Sequence, residues 1–147
     1  MEIKQELTEE LRSGEVTLIA ERDGVFYRSS GLGVKPVITP MKNNREFFKG
    51  ASVADKVTGK AAALLLVLSG ASYVYGEIMS ESAVKVLEEN SISYGFGQKV
   101  QFIKNREGND ICPLEKCVAE TDSPQEAWEL ISAEVSELMN WKDGKIS

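Results

Sequence analysis

The spacing of apolar residues changes period several times along the chain. Val16–Glu21 and Val25–Arg28 are rich in β-branched and aromatic residues, with Asp23-Gly24 between them. That pair is a two-residue hairpin signal, so a hairpin is predicted here. Ala51–Gly70, ASVADKVTGKAAALLLVLSG, is the stretch around which the chain is organised. Ala61–Leu68 is apolar on every side, which predicts a helix covered all round in the middle of the fold. Ser52-Val53-Ala54-Asp55 matches a capping box, so the helix is expected to begin at Ser52 and to stop at Gly70. Gly59 falls inside it, at a cost of about 1 kcal/mol against alanine. Such a glycine fits a close approach by backbone or ligand.

The remaining elements follow the same logic. Glu2–Arg12 carries Leu7 and Leu11 four apart and reads as a surface helix. Ser29–Val34 reads as a glycine-containing loop. Pro36–Asn44 reads as a turn or short helix limited by Pro40. Ala71–Met79 reads as an inner strand, Ser80 as the cap of a helix Glu81–Glu89, and Ser91–Phe96 as a strand. Gln98–Lys104 is expected to be a separate strand. Pro113 opens a short helix, with Cys112 at its N-cap and Glu115 at its third position. Ser123-Pro124-Gln125-Glu126 is a capping box for a last helix to about Asn140, with Ala127, Leu130, Ile131, Val135 and Leu138 on one face and Trp141 packing back. Alternating strands and helices favour parallel pairing, and the hairpin is expected to join the same sheet, giving an α/β fold with a mixed sheet.

Composition narrows the chemistry. The chain has 147 residues, the length of one domain, with a core expected over about 16–120. Net charge is −6, which argues against a nucleic-acid partner. The longest apolar run is too short to span a membrane. MEIKQEL has no basic start and no apolar core of a signal peptide, so a cytoplasmic location is expected. There is no histidine, which removes Ser–His–Asp and Cys–His nucleophile arrangements and His-ligated metal sites. Cys112 and Cys117 are the only thiols and are expected to stay reduced. No metal and no cofactor are expected.

Candidate chemistry gathers on the central stretch. Asp55 is either a capping acid or a ligand contact, and both readings stand. Lys56 and Lys60, four apart, are either solvated or an anion-binding pair. Asn105 and Arg106 sit in a turn, where the Arg106 guanidinium could fork onto a carboxylate or phosphate. Cys112 at a helix start is a candidate nucleophile.

Three segments together, ADKVTGKAAALL, SESAVKVL and NREGNDICPLEK, resemble the bacterial and archaeal domain-of-unknown-function 1893 family. The resemblance covers roughly Thr17–Cys117. It implies a cytidine-deaminase-like α/β/α sandwich of three layers and no established activity. A zinc nucleobase deaminase carries H-x-E or C-x-E at the start of its first core helix and P-C-x-x-C at the next. Here those positions are expected at Ala54–Val57 and Met79–Ser82, without thiol or imidazole. The implied pocket is lined by Asp55, Lys56, Ser80 and Glu81, with two helix N-termini favouring an anion.

The leading expectation is a small-molecule-binding domain for a nucleotide-like or other anionic ligand, contacted by Asp55, Lys56, Lys60, Ser80, Glu81, Asn105 and Arg106. A second is a metal-independent enzyme using Cys112 or Lys56, with Asp55 or Glu81 as acid and base. A third is an interaction protein in which those charges form an internal salt-bridge network. The sequence leaves self-association into a homo-oligomer open.

Overall fold

The computed structural model describes residues 3–105 and 107–142, with side chains to Ser136. Helix α1 (Ile3–Arg12) precedes the hairpin β1 (Leu18–Arg22) and β2 (Val25–Ser29). Asp23 and Gly24 adopt φ of 52° and 82°, the left-handed pair that a tight hairpin turn demands. Helix α2 (Lys35–Asn43) follows and retains Pro40 inside it.

The central stretch departs from expectation. Ser52–Thr58 is strand β3, and helix α3 runs only from Lys60 to Ser69. The capping box at Ser52 and Asp55 is therefore not a helix start. Val53, Val57 and Thr58 are β-branched, whereas Ala and Leu fill the positions after Gly59, so the preference switches at that glycine. Gly59 is the N-cap of α3 in an extended conformation, and left-handed Gly70 closes the helix. Lys56 and Lys60 consequently lie on different elements, not on one helix face.

Strand β4 (Tyr73–Ser80), helix α4 (Glu81–Glu89) and strand β5 (Ser93–Val100) complete the sheet. Ser80 caps α4, its Oγ accepting from the Ala83 amide at 3.1 Å. The sheet order is β2-β1-β3-β4-β5; β1 is antiparallel to β2 and β3, and β3, β4 and β5 are mutually parallel. The two parallel pairs are joined through α3 and α4, as β-α-β crossovers require. Gln98 pairs within β5, so Gln98–Lys104 is not a strand of its own. Beyond Val100 the chain leaves the sheet and forms one antiparallel bridge, Lys104 to Ile111.

Alternation along the strands builds three layers. Leu18, Ala20, Val53 and Val74 face a large core shared with α2, α3, α4 and the last helix α6 (Pro124–Lys142). Ile19, Ala54 and Tyr75 face α1 through Leu7 and Leu11. Arg12 fastens α1 to this side, bonding Glu77 at 3.0 Å and the Tyr75 hydroxyl at 3.0 Å. Helix α3 buries Ala61–Leu66 completely, as its all-round apolar sequence requires.

At the start of α6 only half of the expected capping box forms. The Glu126 amide bonds Ser123 Oγ at 3.2 Å, while the Ser123 amide goes to Thr121 Oγ1. The apolar face of α6 centres on Ala127, Trp128, Ile131 and Val135, and Leu130 is exposed. The side chains of Leu138 and Trp141 lie outside the described residues. No helix among the described residues is long and apolar enough to cross a membrane.

Truncating the buried rod should cost far more than truncating the rim. Leu65→Ala is expected to lower unfolding free energy by about 2–5 kcal/mol. Leu130→Ala should change it by less than about 1 kcal/mol, and urea titration of both variants measures the contrast.

Candidate functional site

A cavity of about 170 Å³ lies at the carboxyl end of β3. Its floor is Asp55, Lys56 and Val57; one wall is Thr17 with the loop Gly31–Val34. The opposite wall is the start of α3 and the returning segment with Ile103, Cys112, Leu114 and Glu115. Open α/β sheets place ligand crevices at this end of their strands.

Local hydrogen bonds hold these walls. Thr17 Oγ1 donates to the Gly31 carbonyl at 2.6 Å, and the Thr17 carbonyl accepts from the Lys56 amide at 2.9 Å. The glycine loop is thereby tied to the floor. On the other side the Cys112 amide bonds the Ile103 carbonyl at 2.9 Å, folding 103–112 into a tongue. Asn105 closes the tip of that tongue by bonding Asn109 through both side-chain atoms, and does not line the cavity.

Glu115 makes the decisive contact. The sequence assigns it to the first turn of helix α5 (Pro113–Cys117). Its carboxylate instead reaches α3 and accepts from the Lys60 amide at 2.8 Å and the Ala61 amide at 2.9 Å. Those amides have no partner inside their own helix, so the carboxylate serves as a cap from a distant element. This explains Gly59: a Cβ there would stand 2.5 Å from the Glu115 carboxyl carbon and Oε1. The close approach that the glycine implied is an acid side chain of the same chain. Burial pushes the Glu115 pKa up, and the two amides pull it down.

Asp55 differs in kind. It is 5% exposed and sits between Leu18 of β1 and Gly76 of β4. Burial raises its pKa to about 8; the nearby amides of Lys56 and Val57 and the Thr58 hydroxyl oppose the rise. The Lys56 amide is already committed to Thr17, and Thr58 Oγ1 lies a long 3.5 Å away. Among the described residues the Asp55 side chain thus has one long side-chain hydrogen bond, and burial at the cavity floor favours its acid form.

The other expected site residues scatter. Lys56 is exposed at the cavity's edge. Lys60 turns away to Asp122 at 3.2 Å and to the Ala119 carbonyl at 3.3 Å. Ser80 is buried as a cap, and Glu81 is exposed in the first turn of α4; neither lines the cavity. Arg106 lies outside the described residues. Cys112 does line the cavity, while Cys117 is pushed up to about 11, first by burial and then by neighbouring acids. Asp55 forms no salt bridge among the described residues, and Arg106, its other expected partner, lies outside them.

The model of a domain of unknown function, DUF1893, matches residues 6–135. The chain belongs to the DUF1893 family. A DUF1893 family protein from Thermotoga maritima, known from its crystal structure, is similar at 27% identity, with a TM-score of 0.79 over 93% of this chain and 92% of that one. No curated protein matches the chain. The DUF1893 match is wider than the three segments that suggested it, taking in most of α1 and more than half of α6. Helix α3 of this DUF1893 chain starts at Gly59-Lys60-Ala61, not at Ala54–Val57, and α4 at Ser80-Glu81-Ser82. Neither position supplies a thiol or an imidazole.

Sequence reasoning missed Glu115 as the partner of α3. The available signal was Gly59 at the position before an apolar helix, where it offers no side-chain oxygen to the first-turn amides. Removing the cap with Glu115→Ala should cost about 1–3 kcal/mol. Gly59→Ala should cost a similar amount by displacing the carboxylate. The double variant should cost clearly less than the sum, because both lose one contact; a double-mutant cycle by urea unfolding measures the coupling.

The Asp55 pKa also fixes a pH dependence. Its folded value of about 8 exceeds the unfolded 3.8, so the native state binds the extra proton between them. Stability from this group is fully present below the unfolded value and is lost as pH rises towards 8, at a slope of at most about 1.4 kcal/mol per pH unit. Asp55→Asn should remove that slope, so its stability relative to wild type should rise from pH 5 to pH 8 in parallel unfolding titrations.

Proposed function

We propose that this chain is a small-molecule-binding domain whose ligand seats in the cavity over Asp55. The observation that carries the reading is the Asp55 carboxyl itself. A carboxyl 5% exposed, whose one side-chain hydrogen bond among the described residues is a long 3.5 Å, is costly to leave that way, and a ligand that completes its bonding would offset the cost. The cavity's place at the end of the first parallel strand supports the same reading.

The scaffold in this reading is cytidine-deaminase-like and works by recognition. The strand order and the two helices starting at the ends of β3 and β4 support that likeness. Of the ligand chemistries suggested by the sequence, the nucleotide-like one keeps its support. A purely anionic ligand loses it, because Glu115 already occupies the tip of α3 and Ser80 that of α4. A reducing cytoplasm suits the two free thiols.

A second reading is turnover without a resident metal. Cys112 and Asp55 share one cavity, with a thiol nucleophile in its wall and a proton donor in its floor. Alkylation of Cys112 that is blocked by a bound ligand, with product forming on incubation, would favour it over simple binding.

Thermal-shift screening with nucleobases, nucleosides, nucleotides and sugar phosphates tests the proposal. A ligand at a hundredfold excess over its Kd contributes about 2.7 kcal/mol. That corresponds to a Tm rise on the order of 5–10 °C for a chain of this size. The rise should vanish in Asp55→Leu. Stabilisation by no member of the series, or stabilisation indifferent to Asp55, would defeat the proposal.

A further inference from the structure

We propose, resting on the binding reading above, that the part of the ligand held in the cavity is an uncharged single ring. It carries a hydrogen-bond donor beside an acceptor, as a lactam or an aminopyrimidine edge does, and docks on the Asp55 carboxyl. Any charged portion stays outside the mouth.

Size sets the first limit. The cavity of about 170 Å³ is close to the roughly 150 Å³ void that accepts benzene in an engineered protein core. One ring with one or two small substituents fills it, and a phosphorylated sugar attached to that ring would extend past the mouth.

Charge sets the second. Lys56 is the only cationic residue among the described lining residues, and it is exposed. The Glu115 carboxylate already stands in the wall, with both oxygens turned onto α3 amides. Those bonds consume the positive end of the helix that an anionic guest would use. A second anion would therefore lie beside Glu115 and Asp55 without compensation, and desolvation would penalise it further.

Geometry at Asp55 sets the third. Its acid form offers a C=O acceptor and an O–H donor side by side. A ring with an adjacent N–H and carbonyl or ring nitrogen satisfies both in one two-bond contact. An amide or pyridone can do this without transferring charge into the cavity, whereas an amidinium would require Asp55 to ionise there.

Chemical-shift mapping on the ¹⁵N-labelled full chain at pH 6.5 tests the inference with 2-pyridone, 2-aminopyrimidine, benzoate, inorganic phosphate and benzamidine. The first two should shift the amides of Gly31, Gly33 and Gly59 saturably, and the others should not. Asp55→Asn, which keeps a donor beside an acceptor, should retain affinity within about threefold. Asp55→Leu should weaken it at least about tenfold. N-methyl-2-pyridone, lacking the donor, should bind wild type at least about tenfold more weakly than 2-pyridone, which makes the same test should Asp55→Leu fail to fold. Tighter binding of benzoate, phosphate or benzamidine at those three amides would overturn the ligand class and leave the binding reading standing. If no probe moves those amides, the binding reading and the inference fall together.

Discussion

The Glu115 carboxylate receives two amide hydrogens from the first turn of α3, at 2.8 and 2.9 Å, across the gap left by Gly59. Residues more than fifty apart in sequence are joined by this contact. It satisfies amides that the central helix cannot satisfy itself, and it does so where no residue of the helix's own start can cap it. It also pulls α5 and the tongue behind it over the end of β3. Without that closure, the floor formed by Asp55 and Val57 would open directly to water, and the cavity would be a shallow notch.

Two acids, Asp55 buried and Glu115 half-buried, therefore line one cavity in different surroundings. Glu115 is the structural one: both oxygens are occupied, and its charge is matched by the helix's positive end. Asp55 has no such match. The same removal from water that Glu115 tolerates holds Asp55 in its acid form, as a neutral donor and acceptor. The first-turn amides of α3 are thus satisfied from within the chain.

Much of the fold was legible in the residues, because local preference and local pattern coincide there. Asp23-Gly24 specified a left-handed hairpin turn that few other pairs tolerate. Ser80 specified a helix start, and Ala61–Leu66 specified a rod buried all round. The central stretch was misread because its first half offers two local stories. Ser52-Val53-Ala54-Asp55 spells a capping box, while Val53, Val57 and Thr58 prefer a strand. Neighbouring strands on both sides decide for the strand, since β3 needs partners in β1 and β4 that no local window contains. The site suffered the same way. Asp55, Lys56 and Lys60 look clustered in sequence, yet Asp55 is buried, Lys56 is exposed, and Lys60 is drawn away to Asp122.

By itself the sequence determined the class of fold, the hairpin, the buried helix, the lack of any imidazole and a close approach at Gly59. These follow from residue type, period and turn chemistry, which act over a few residues. Only the tertiary structure decided that Gly59 makes room for Glu115, that Asp55 is buried at the floor of a cavity, and that the helix tip is already taken. Each of those depends on which distant segment arrives at the end of β3, and that is settled by packing and by unpaired amides seeking acceptors across the fold.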